Sequence, residues 1–83
     1  MSLEWFTQQE LIDAGFHHYT VNNNIQQYIK PGMHIARYYA PDNEYVLFKV
    51  IRIESGQGIY NIRFGYGQSD FTQVGDDEVV YIK

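Results

Sequence analysis

The sequence predicts an α+β domain that is mainly β, with a short helical N-terminal segment (residues 1–29) followed by five short strands (residues 30–83) that close into a small barrel. Three observations carry this. The text changes character once, at Lys30-Pro31-Gly32, from helical spacing to strand alternation. Aromatic residues make up 17% of the chain, eight of them Tyr, and aromatics favour strands and bury large areas. Turns rich in Gly, Asp and Asn then divide the second part into five runs too short for a sandwich, so that closure is the economical way to hide their edges.

Thr7-Gln8-Gln9-Glu10 fits a capping box, with Leu11, Ile12 and Ala14 following and Gly15 placed to stop the helix. Trp5 or Phe6 is positioned to pack back on Leu11. A second, shorter helix is predicted within 20–29, where Val21, Ile25 and Tyr28 or Ile29 recur at helical spacing; Asn22-Asn23-Asn24 weakens it, because Asn competes for backbone hydrogen bonds. Strands are predicted over 33–39, 44–53, 59–64, 68–74 and 79–82. Between them lie a turn at 40–43, a hairpin loop at 54–58, a turn at Gly65-Tyr66-Gly67 and a tight turn at 75–77. Alternation puts Tyr60, Ile62 and Phe64 on one face of the third strand, and Phe48, Val50 and Ile62 are predicted core.

At 83 residues the chain is sized for one domain, and with no cysteine it has neither a disulfide nor a thiolate for zinc or nucleophilic chemistry. Its 45% hydrophobic content supplies a core instead. The net charge is −4, and the six bases are scattered from Lys30 onward, with none in the first 29 residues. Such a balance disfavours nucleic acid as a direct partner, since phosphate binding draws on clustered cations. No stretch is apolar enough to span a membrane, and the N-terminus lacks the order of a signal peptide, so a soluble intracellular protein is expected, cytoplasmic or, in a eukaryote, nuclear.

The segment 31–80 resembles a Tudor-type member of the SH3-like barrels. Pro31-Gly32-Met33-His34-Ile35-Ala36-Arg37-Tyr38-Tyr39 resembles the family's opening strand, a Gly followed by apolar residues and an aromatic. Asp42-Asn43-Glu44-Tyr45 resembles the turn and aromatic that begin the second strand. Phe48, Val50 and Ile53 fit the spacing of that strand, whose sharp bend stretches the last interval from two to three. Ile62-Arg63-Phe64-Gly65-Tyr66-Gly67 resembles the family's apolar-x-Phe-x-acidic-Tyr-Gly, one residue shorter and without the acid. Phe71, then Asp77-Glu78-Val79, resemble the fourth strand and the turn before the fifth.

The resemblance implies a cage of aromatic rings for methylated Lys or Arg, built on attraction between a cation and ring faces. Its members would be Tyr39 (or Tyr38, the register being open), Tyr45, Phe64 and Phe71, with Tyr66 where the family often has its acid and Asp70 supplying negative charge. The competing reading is that several of these rings are core, or a cross-strand surface that stabilises any sheet. Residues 8–28 also match the spacing of a helix-turn-helix through Leu11, Gly15, Val21 and Ile25, which would aim Thr20, Asn22, Asn23 and Gln26 at base edges, but without a cation to hold phosphate. Catalysis finds little footing. His17-His18 would point to opposite faces of a strand, His34 stands alone, and Ser55 and Ser69 lack the setting of an activated nucleophile. Asp76-Asp77-Glu78 reads as a solvated turn, and Gly65-Tyr66-Gly67 lacks the third Gly and the helix of a phosphate loop. The expected role is therefore non-enzymatic and without cofactor or metal: recognition of a protein with a basic surface or tail, as a small acidic adaptor or inhibitor. The alternative is a helix-turn-helix DNA-binding protein with an accessory β-barrel.

Overall fold

A computed structural model describes residues 4–83. The chain begins with strand β1 (Glu4–Phe6) and enters helix α1 (Gln8–Asp13) through the capping box the sequence predicts. The Glu10 N–H donates to the Thr7 hydroxyl and the Thr7 N–H to the Glu10 carboxylate, at 3.2 and 2.8 Å. Gly15 ends the helix with φ 93°, a conformation that costs glycine little. From there the chain forms β2 (His17–Thr20), a single helical turn α2 (Ile25–Tyr28) and β3 (His34–Tyr39). A 3₁₀ turn at Ala40–Asp42 leads into β4 (Glu44–Lys49), followed by β5 (Arg52–Ser55), β6 (Ile59–Arg63), β7 (Phe71–Gly75) and β8 (Val79–Ile82).

These strands make two antiparallel sheets, of five strands in the order β1-β4-β3-β8-β2 and of three in the order β5-β6-β7. The fold is thus mainly β, as predicted, but its strands number eight among the described residues rather than five, and neither sheet closes on itself. Two differences have plain causes. The strand predicted over 44–53 breaks in the middle: Val50 N–H donates to the carbonyl of Met33, just before β3, at 2.8 Å, and Ile51 N–H to that of Arg63 in the smaller sheet at 2.7 Å, so the chain crosses between sheets at one peptide. The helix predicted within 20–29 shrinks to one turn, because the Asn22 side chain takes the Asn24 N–H at 2.8 Å in a local turn. Residues 17–20, for which the sequence predicts no strand, pair with β8 and become an outer strand.

The main core lies between the sheets, where Ile35, Val80 and Ile82 of the larger meet Tyr60, Ile62 and Val74 of the smaller. Val21, Ile25 and Ile29 join it from around α2, so the apolar spacing read in that segment survives although most of the helix does not. Val50 and Ile62 are fully buried as predicted, while Phe48 is partly buried and packs against the same cluster. A second cluster sits on the opposite face of the larger sheet, where α1 lays Leu11 over Ala36 and Tyr81, with Phe6 and Phe16 beside it. Phe6, not Trp5, is the residue that packs towards Leu11. No helix among the described residues is long and apolar enough to cross a membrane.

Ile62 has no exposed surface and contacts both sheets' apolar residues. Ile62→Ala should cost about 2–5 kcal/mol, read as a lower urea midpoint. Tyr66→Ala, at a position 94% exposed, should shift it by no more than about 0.5 kcal/mol. Equal midpoints for the two variants would refute this core.

Candidate functional site: an aromatic cleft between the sheets

Strand register decides which side chains meet. Trp5 lies opposite Val46, Val46 opposite Arg37, Ile35 opposite Phe48 and Tyr39 opposite Glu44. These residues share the face of the larger sheet that looks toward the smaller one; Phe6, Tyr38, Tyr45 and Leu47 take the other face. At the Ile35 end the face is closed by core. At the Trp5 and Tyr39 end it opens into a cleft of about 680 Å³, walled by Trp5, Tyr39, Val46 and Phe48. Trp5 and Tyr39 meet edge to face, with centroids 5.4 Å apart and planes at 63°, and both rings remain nearly half exposed. Phe48 is backed by Phe64 at 4.8 Å.

Two charged residues line the cleft, and they differ. The Arg37 guanidinium is engaged on two sides: its Nε donates to Glu78 Oε2 and its Nη1 to Thr72 Oγ1, each at 2.8 Å. Its charge is thereby offset. Asp42, carried on the 3₁₀ turn, forms no ion pair among the described residues, so its carboxylate is the uncompensated charge of the lining. Exposed ring faces with one free carboxylate suit a cation better than an anion.

The site residues predicted from sequence do not converge. Tyr39 lines the cleft beside Trp5; Tyr38 borders it but turns its ring to Tyr45 on the far face, its hydroxyl donating to the Asn43 side chain. Tyr45 stands on the far face against Tyr81, ring centroids 5.2 Å apart; burial, and then the neighbouring Tyr81 and Tyr38 hydroxyls, push its own hydroxyl pKa up. Phe64 sits behind Phe48. Asp70 closes its own loop: its carboxylate takes the Gly67 N–H at 3.1 Å and its carbonyl the Phe64 N–H at 3.0 Å. A Cβ on Gly65 would lie 2.4 Å from that carboxylate, which is why a glycine stands there. Tyr66 projects alone from the loop. Phe71 lies under the Arg63 guanidinium, 5.0 Å from its centre, while the hydrogen bond from Arg63 holds the Glu54 carboxyl below its usual range.

Trp5, Phe48 and Asp42 were not among the predicted site residues. The available signal for Trp5 was the alternation of Glu4-Trp5-Phe6, too short to stand out as a strand. Residues 8–28 do not make a helix-turn-helix: after α1 the chain is extended along β8, and α2 has too few turns to enter a groove. His17 and His18 alternate along β2, and the His18 Nε2 is bound to the Tyr81 hydroxyl at 2.6 Å.

Arg37 and Glu78 are each about a third exposed (28% and 31% of the side chain), so their pairing is only partly screened. Arg37→Met should lower stability by about 1–2 kcal/mol, and Arg37→Lys should not restore it, since an ammonium cannot reach both partners with the same fork. Urea titrations of the three proteins check this; full rescue by Lys would mean that charge alone matters.

No family model, curated protein or solved structure gives a significant match to the chain, so the functional reading rests on this geometry.

Proposed function

We propose that this chain is a protein–protein recognition module that takes a basic side chain of its partner between Trp5 and Tyr39. The observation that carries this is the pairing of two half-exposed rings with an unpaired carboxylate, Asp42, in an open cleft. A Lys or Arg entering there exchanges water for ring faces and a nearby anion, an interaction worth about 0.5–2 kcal/mol per ring contact. Methylation of the cation leaves its charge and sheds its hydration, so methylated Lys and Arg belong to the same ligand class. The net charge of −4 draws a basic partner as a whole and repels nucleic-acid phosphate. This is the behaviour of a small acidic adaptor or inhibitor.

The order of the strands supports an SH3-like, Tudor-type assignment. β3, then β4 and β5 as one bent strand, then β6, β7 and β8 follow in the sequence of that barrel's five strands, with β8 returning beside β3. On this view β1 and β2 extend the larger sheet on both sides, and β1 contributes a cage wall, Trp5, that the family pattern does not supply.

Trp5→Ala and Tyr39→Ala should each weaken binding of Lys-rich peptides by about 2 kcal/mol, roughly thirtyfold, with circular dichroism unchanged. Asp42→Asn should weaken it less, and Tyr66→Ala and Phe71→Ala should leave it alone. Titration of methylated and unmethylated peptides, alongside pull-down from lysate, provides the measurement. A set of basic peptides that all fail to bind, or bind equally well after Trp5→Ala, would end this reading.

A further inference from the structure

Resting on the cleft reading above, we infer that the partner is bound as an extended strand laid into the open seam between β3 and β7, and that it carries Lys or Arg at alternate positions. The register shows why. His34 and Lys83 exchange N–H···O bonds at 2.7 and 3.1 Å, so the residues in phase with His34 along β3 turn their N–H and C=O toward β8. Tyr38 is one of them, but the ladder between these strands ends at Ala36 and Tyr81. Tyr38 therefore holds out a donor and an acceptor beyond the last rung of the ladder, where β8 runs on to Val79 without pairing to β3.

Across the seam the same reasoning applies to β7. Phe64 N–H donates to the Asp70 carbonyl and Asp76 N–H to the Gly58 carbonyl, both at 3.0 Å, which fixes Thr72 and Val74 as the residues bonded to β6. Phe71, Gln73 and Gly75 consequently turn outward. Gly75 is occupied by Glu78 and the Phe71 N–H by the Ser69 carbonyl. The Gln73 N–H and C=O and the Phe71 C=O remain without a hydrogen bond among the described residues.

Arg37, next to Tyr38, reaches Thr72, next to Gln73, so these two incomplete edges come near each other across one arginine side chain. An inserted strand needs roughly 9–10 Å between its neighbours, a span that an arginine bonded to a short side chain can bridge. Elsewhere edges are blunted: the Gln26 amide caps the Ile53 carbonyl at 2.7 Å and the Asn22 amide caps the Thr20 carbonyl at 3.2 Å. At the seam the cleft adjoins the exposed edge, and alternate side chains of an added strand would reach Trp5, Tyr39 and Asp42. Main-chain bonds would then supply affinity and the cleft selectivity. With Arg37 neutralised by Glu78, Asp42 makes the complementary side chain basic.

The test follows amide exchange by NMR on the full chain, with a peptide of about ten residues alternating Lys and Thr as probe. At saturation the Tyr38 and Gln73 amides should exchange at least about tenfold more slowly, while the Tyr66 amide stays as it was. N-methylation of every second peptide residue should abolish binding in one phase and spare it in the other. A peptide that binds in a Trp5-dependent way yet leaves both amides unprotected, or tolerates N-methylation in both phases, overturns the strand model and leaves the recognition reading standing. A peptide that does not bind at all overturns both.

Discussion

Val80 and Ile82 look into the main core while Tyr81, between them, looks the other way under α1. A strand's side chains alternate, so a strand that buries every one of three consecutive residues commits its sheet to cover on both faces. The smaller sheet and α2 cover one side. Only the N-terminal residues are left to cover the other, and Leu11, Phe6 and Phe16 do so. Burial also carries the Tyr81 hydroxyl out of water, at a cost of about 1–3 kcal/mol if it found no partner. It finds two: the Gln8 amide donates to it at 2.6 Å and the His18 ring lies at 2.6 Å. One polar atom on β8 thus pins both α1 and β2, and residues 4–29 act as part of the sheet rather than as an appendage to it.

The same economy is absent where the two sheets separate. They are joined covalently at the Val50-Ile51 crossing and by the short turn from β7 to β8, and between those points they share apolar side chains. Toward Tyr39 the shared core gives out, and Arg37 spans the gap instead. A packed apolar bridge would have filled the space. A charged fork holds the sheets in register while leaving the volume beside it open, and Glu78 cancels its field so that Asp42 sets the sign of the cleft.

Much of this was legible in the chain. The capping box, the Gly15 stop, the turn positions and the burial of Val50 and Ile62 all follow from local chemistry that tertiary contacts did not override, whereas the change from helix to strand read at Lys30-Pro31-Gly32 did not hold, because β1 and β2 precede it. The missed strands share a reason. His17–Thr20 and Glu4–Phe6 are too short to show a period, and each is extended only because a neighbour, β8 or β4, offers a ladder. That neighbour lies 65 positions away for His17 with Ile82 and 43 for Glu4 with Leu47. No window of adjacent residues carries such information.

The candidate site was harder to read because a shift of one residue in a strand exchanges its faces. Tyr38 and Tyr39 are adjacent and chemically identical, and only pairing with β4 sends Tyr38 to join Tyr45 and Tyr39 to join Trp5. Trp5 is in turn placed by β1, a three-residue strand that cannot hold its position by backbone bonds alone. What holds it is the next residue, Phe6, partly buried against Leu11 and Tyr81 on the opposite face. The cleft wall and the second cluster are therefore the two sides of one short strand. Binding at Trp5 and docking of α1 share a free energy, so a ligand that orders Trp5 also stabilises the helix behind it, and loosening of α1 removes a wall from the site.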